Sequence, residues 1–272
     1  MSGWVTGSRP VGIPRLLYVP AALGFALLLL PVIGLLVRAD WPRVPAAITS
    51  VEALSALGLS LQTATAATIL CAIVGVPLAL VIARSRQRVA GVLRALTTLP
   101  LVMPPLVGGI ALLYLLGRNG LVGAVLEPAF GIRIPFTTAA VVIAQSFVAL
   151  PFLVISVEGA LRTAGTRFET VAATLGAGRW TVFRRITLPL ILPGLVSGTV
   201  LCFARALGEF GATALFAGNA AGITRTMPLA IYTAFNGAGV SQDSAVALSL
   251  LLIVVAVVIL LLMRSWRPEP ER

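Results

Sequence analysis

The sequence contains no histidine and no lysine; all 20 of its basic residues are arginine. Without His, imidazole metal ligands, haem-ligating histidines and the usual near-neutral general base are excluded. Without Lys, an ordinary nucleotide-binding P-loop is excluded as well, because its lysine must reach the β- and γ-phosphates. Charge is scarce: charged residues make up 11% of the chain and only nine are acidic, against about a quarter charged in soluble domains. The two cysteines, Cys71 and Cys202, each sit inside an apolar run. They read as packing residues and say nothing about redox compartment.

What the chain has in excess is apolar surface. Hydrophobic residues make up 58% of its 272 positions, and the mean hydropathy is +1.04. So little polar surface cannot cover a globule in water, and the apolar segments recur end to end with no soluble block between them. The chain therefore reads as one membrane domain. A formal charge of +11 raises the question of nucleic acid. The arginines, however, fall in the gaps between apolar runs, where they decide membrane orientation, and form no single stripe. No nucleic-acid partner is expected.

A bilayer core of roughly 30 Å needs about 20 apolar residues in a helix. Six runs qualify: 16–37, 57–83, 93–117, 135–157, 186–217 and 244–263. The first is longer than a signal-peptide core and lacks a small-residue cleavage site at its end, so it counts as a span. The predicted fold class is an all-α integral membrane protein of about six transmembrane helices over 16–263, with cytoplasmic segments at 1–15 and 264–272. With the N-terminus inside, fourteen arginines lie in cytoplasmic segments and five outside, while Arg205 falls within a span. That asymmetry predicts both termini in the cytoplasm.

Prolines interrupt several spans: Pro77, the group Pro100, Pro104 and Pro105, then Pro151, Pro189 and Pro193. Each removes a backbone donor, and the freed carbonyls must be satisfied by protein or by water lining a cavity. At a single site ordinary kinking is an equal account. Three prolines in the third run predict that this span lies near a pathway. Gly194 and Gly198 form a small-xxx-small pair, which lets a neighbouring helix approach closely.

Within the fifth run, Arg205 and Glu209 are spaced to share one helix face and to pair. A charge at mid-bilayer costs at least about 2.5–3.5 kcal/mol on insertion scales, so the pair must face protein or water. Two readings stay open: an anion pathway or gate in which Glu209 restrains the arginine's field, or a neutralised pair that fixes helix packing.

Between the fourth and fifth runs lies a predicted cytoplasmic loop, 158–185, rich in Arg and helical in pattern, with a break at Gly176, Ala177 and Gly178. It is longer than a simple turn requires, so a partner outside the bilayer is expected to dock there. Residues 169–189, ETVAATLGAGRWTVFRRITLP, resemble the cytoplasmic "EAA" loop of binding-protein-dependent ABC importer permeases. That pattern is EAA, three residues, Gly, nine residues, then I-x-L-P. Gly176, Ile186, Leu188 and Pro189 match at the right spacing, and Ala172 matches the second alanine. Thr170 and Val171 occupy the Glu-Ala positions, with Glu169 one residue earlier.

The resemblance implies a coupling helix seated in a groove of an ATPase subunit, with Glu169, Ala172, Ala173, Gly176, Arg179, Ile186, Leu188 and Pro189 as its residues. The missing lysine agrees, since ATP must then be bound by another chain. Two further stretches narrow the resemblance. FARALGEFGAT (203–213) is similar to the fifth span of oxyanion permeases for molybdate, tungstate and sulfate. GNAAGITRTMPLAIYTAF (218–235) and IPFTTAAVVIAQSFVALPFLV (134–154) most resemble the molybdate type.

The implied protein is a type I importer permease of the plasma (inner) membrane, without catalytic, cofactor or metal residues of its own. Its implied partners are a second copy of itself, two cytoplasmic ABC ATPase subunits and an extracytoplasmic oxyanion-binding protein. Sulfate, thiosulfate and tungstate stay open as cargo. A stand-alone channel or ion-coupled carrier would need its own selectivity ring or coupling carboxylates; Glu209 is the one intramembrane candidate, and Arg205 stands beside it. An intramembrane enzyme lacks positioned acid–base groups.

Overall fold

A computed structural model describes residues 14–237 and 242–264. Most of the expected N-terminal segment and the tail after Arg264 lie outside the described residues. Among the described residues every regular element is helical: α1 (Tyr18–Arg38), α2 (Val44–Ile48), α3 (Val51–Arg84), α4 (Gln87–Val102), α5 (Pro105–Leu116), α6 (Gly123–Phe130), α7 (Thr138–Ala164), α8 (Arg167–Thr174), α9 (Arg179–Val182), α10 (Leu188–Leu207), α11 (Gly211–Phe216), α12 (Met227–Asn236) and α13 (Gln242–Arg264). A π-turn at Phe183–Thr187 joins α9 to α10 without interruption.

Among the described residues, five helical stretches are long and apolar enough to cross a bilayer: Tyr18–Arg38, Val51–Arg84, Thr138–Ala164, Arg179–Leu207 and Gln242–Leu261. The third expected span is not a single helix. α4 and α5 meet at a 113° bend, because Met103 and Pro104 each precede a proline and are pushed into extended backbone, with ψ of 132° and 134°. The fifth expected run also divides. Its helix begins early, at Arg179, ends at Leu207, and restarts at Gly211 as α11. Pro77, Pro151 and Pro193, by contrast, sit inside unbroken helices.

α7 is the central element, packed between α3 and α10. The seam is built from small residues: Ala64, Ala67 and Cys71 on α3, Ala149 on α7, Cys202 and Ala206 on α10. In lipid no hydrophobic drive pulls helices together, so backbone proximity and interhelical hydrogen bonds must do it. The glycine pair serves that purpose. A Cβ on Gly194 would lie 2.4 Å from the Ala160 Cβ, and one on Gly198 would lie 2.9 Å from the Ser156 Cβ. Ser156 Oγ donates to the Gly194 carbonyl at 2.8 Å. α1 buries nothing and presents leucines all round, a surface suited to hydrocarbon.

Candidate functional site: a two-faced loop and a pair of helix breaks

The segment 158–185 opens inside a helix. α7 continues to Ala164, so Glu158 belongs to that helix; it is buried and held by Arg94, whose Nε donates to both carboxylate oxygens at 3.2 Å. Gly165, at φ +64°, ends the helix. α8 then runs to Thr174 and closes with a glycine in the left-handed region, Gly176 at φ +84°. There the Ala177 N–H donates to the Ala172 carbonyl and the Gly176 N–H to the Ala173 carbonyl, both at 3.0 Å. That is a Schellman closure, and it assigns Ala172, Ala173 and Gly176 a local structural task. Arg179 opens the next helix.

Glu169 faces inward. Arg84 at the end of α3 donates to both of its oxygens, and Thr187 Oγ1 donates to Oε1 at 2.7 Å. The carboxylate thus clamps α8 to α3 and to the foot of α10, across a cavity of about 760 Å³ that Arg179 and Phe183 also line. Ile186 lies in the π-turn, half-buried, and Leu188 and Pro189 begin α10. Pro189 has no N–H to return to the preceding turn, and the backbone widens just ahead of it. These three form the junction with the span.

The outward face of α8 carries residues the motif does not single out. Phe168, Val171 and Leu175 are 58%, 53% and 83% exposed, and their spacing puts them on one side of the helix. Trp180, stacked on Phe183 at 5.4 Å, extends the patch. A signal was present in the sequence: four large apolar residues on a loop otherwise rich in charge.

In the second region, Arg205 and Glu209 do pair, at 2.6 Å, but not across one helix face. α10 ends at Leu207, so Glu209 lies in the break, where its other oxygen accepts the Ala212 N–H at 2.8 Å. Gly211 abuts α5: a Cβ there would lie 2.7 Å from the Pro105 Cβ. The breaks in the third and fifth runs therefore meet, beside a cavity of about 170 Å³ that includes Pro104, Phe147 and Arg205. Among the described residues, no three His, Cys, Asp or Glu side chains form a metal-ligating group.

A helical membrane domain with an internally clamped α8 loop and broken spans has the architecture of a transport-system permease. Residues 75–267 match the family described as binding-protein-dependent transport system inner membrane component, and the chain belongs to that family. It is a multi-pass membrane subunit, not an enzyme.

Among its relatives, the molybdenum transport system permease protein ModB of Mycobacterium tuberculosis is 58% identical over 242 residues, covering 89% of this chain and 90% of that one. The ModB of Haemophilus influenzae is 40% identical over 192 residues, or 71% and 84%. Among solved structures, a bacterial ABC transporter importing the acidic polysaccharide alginate superposes with a TM-score of 0.69 at 22% identity, over 92% of this chain and 94% of that one. The inward-facing MetNI methionine ABC transporter gives 0.59 at 17%, over 78% and 93%. At these identities the two structures speak for the fold.

Proposed function

We propose that this chain is the permease subunit of an ATP-driven molybdate importer. Two copies form one translocation path, two cytoplasmic ATPase subunits seat the α8 loops, and an extracytoplasmic binding protein delivers the oxyanion. The observation that carries the substrate is the 58% identity to a molybdenum transport permease over nearly the whole of both chains. The exposed face of Phe168, Val171 and Leu175 supports the ATPase contact. The arginine distribution supports a cytoplasmic position for this loop and for both termini. ATP is held by the partner, and no cofactor is assigned to this chain.

Mechanically, the loop is coupled to the path through α9 and α10. Arg179–Leu207 is 29 residues of continuous helix, about 43 Å at 1.5 Å per residue. One end carries Trp180 and the loop; the other carries Arg205 and the break. Glu169 fixes α8 to the foot of that lever, so displacement of the loop moves the lever instead of bending the connection. ATP shifts the path between inward and outward access only insofar as the loops contact the two ATPase states differently.

The test is reconstitution in proteoliposomes with the cognate ATPase and binding protein. ATP-dependent molybdate uptake is expected, with no ATP hydrolysis by the permease alone. Titration of the binding protein with molybdate, tungstate and sulfate decides the cargo; a system that takes up sulfate and ignores molybdate overturns the substrate assignment.

A further inference from the structure

The lever mechanism leaves the chemistry of the two meeting breaks unused. The cavity there is walled by apolar groups, among them Pro100, Met103, Phe147 and Phe152, and Arg205 is the one charged side chain among its lining residues. Its volume, about 170 Å³, is several times the roughly 30 Å³ share of a water molecule. The ion pair beside it is lopsided. Glu209 is 1% exposed and held at both oxygens, one by Arg205 and one by the Ala212 N–H. Arg205 is 26% exposed, and a guanidinium carries five N–H donors in a planar fork that fits an oxyanion. A pair that only neutralised itself would have no reason to leave the cation on a cavity wall while sealing the anion away. The start of α5 lies at the same place, adding the positive end of a 12-residue helix.

We propose that Arg205 receives the permeating tetrahedral oxyanion in this cavity, and that Glu209 is a tethered anion that occupies the guanidinium until cargo arrives. The inference rests on the oxyanion-importer reading. A doubly charged oxyanion outcompetes a singly charged carboxylate for the guanidinium. Glu209 stays anchored on the Ala212 N–H meanwhile, ready to reclaim Arg205 once the cargo has moved on. Small monovalent anions lack that advantage and are held off, so the empty path does not leak.

The experiment uses the complete transporter in proteoliposomes, with R205Q, R205K, E209Q and the double variant R205Q/E209Q. R205Q is expected to lower ATP-dependent molybdate uptake about tenfold or more, with ATPase assembly intact, and R205K to keep part of it. E209Q is expected to act in the opposite sense on binding: the purified complex retains more radiolabelled molybdate than wild type. The double variant stays as defective as R205Q. A double variant that restores wild-type uptake while both single variants fail alike overturns the proposal in favour of a packing pair. If R205Q does not assemble, E209Q decides alone, and retention no greater than wild type overturns it. Wild-type transporter that takes up no oxyanion at all is a different outcome, which removes the importer reading itself.

Discussion

Leu175 offers the most direct test of the proposed docking face. It is 83% exposed, more than Phe168, Val171 or Trp180 beside it. Truncation to alanine removes three carbons, worth about 2.4 kcal/mol if fully buried, at about 0.8 kcal/mol per CH₂. Only the part now exposed can be newly covered, which leaves about 2 kcal/mol. At 1.4 kcal/mol per decade that is about a thirtyfold rise in the Kd for the ATPase. The monomer itself is expected to lose little, since exposed substitutions stay within about 0.5 kcal/mol. The assay is titration of nanodisc-embedded permease with the cognate ATPase, alongside thermal unfolding of the permease alone. L175A should shift the binding curve and leave the melting temperature in place, and L175M should bind as wild type. Wild-type affinity in L175A, or a loss matched by an equal drop in melting temperature, refutes the assignment of this face.

Four further outcomes follow from other parts of the molecule. A double-mutant cycle on Arg84 and Glu169, with R84Q and E169Q, should give a coupling of about 1 kcal/mol in thermal unfolding, the upper end for exposed pairs, because the side chains are 36% and 19% exposed and Thr187 also holds the carboxylate. E169Q should keep ATPase affinity while lowering uptake per ATP hydrolysed, since Glu169 positions the loop from its inner side. Gly176→Val should cost about 1–2 kcal/mol for a left-handed backbone at a side-chain-bearing residue and uncouple transport; nothing lies within 4 Å of a Cβ there, so Gly176→Asn, which tolerates that conformation, should recover much of both. Gly194→Leu should destabilise the α7–α10 seam by about 1–3 kcal/mol through overpacking, with Ala160→Gly as a partial suppressor in a melting assay, since a Cβ at 194 meets Ala160 at 2.4 Å.

Span positions were legible because the bilayer imposes one length and one polarity, and hydropathy reads both. α1, α3, α7 and α13 fall on the runs that pattern predicts. The close α7–α10 contact was legible in Gly194 and Gly198 for a similar reason: small residues four apart leave a groove. The break at Gly176 was legible because its backbone, at φ +84°, disfavours side chains. The break in the third run was legible in part, because Pro100, Pro104 and Pro105 marked that span as interrupted, but hydropathy alone registers no 113° bend. The break after Leu207 carries no proline and was hidden inside a run that is otherwise apolar apart from Arg205 and Glu209. The inward turn of Glu169 was hidden because its partner, Arg84, lies 85 residues away, on another helix. The resemblance implied a coupling-loop role for Glu169; the fold adds its bonds to Arg84 and Thr187 within the subunit.

The inward bonding of Glu169 bears on how such a loop works. A docking element transmits motion only if it is tied more firmly to its own domain than it flexes against its partner. In α8 the two tasks are divided by face: Glu169 holds the inside, and Phe168, Val171 and Leu175 wait on the outside. Charge suits the first task, because a hydrogen-bonded carboxylate fixes geometry as well as distance. Apolar surface suits the second, because a contact that must be remade in each cycle gains from a non-directional attraction that tolerates small changes of seating. At the end of α10 a similar division is found. Glu209 is anchored and buried, while Arg205 faces open space. In both places a fixed carboxylate is bonded within the subunit, and a neighbouring, more accessible group is left to meet what comes from outside it. A variant that weakens Glu169 should therefore loosen transport from ATP hydrolysis without abolishing assembly, whereas variants of Phe168, Val171 and Leu175 should act on affinity for the ATPase, and variants of Arg205 and Glu209 should shift oxyanion affinity in opposite senses.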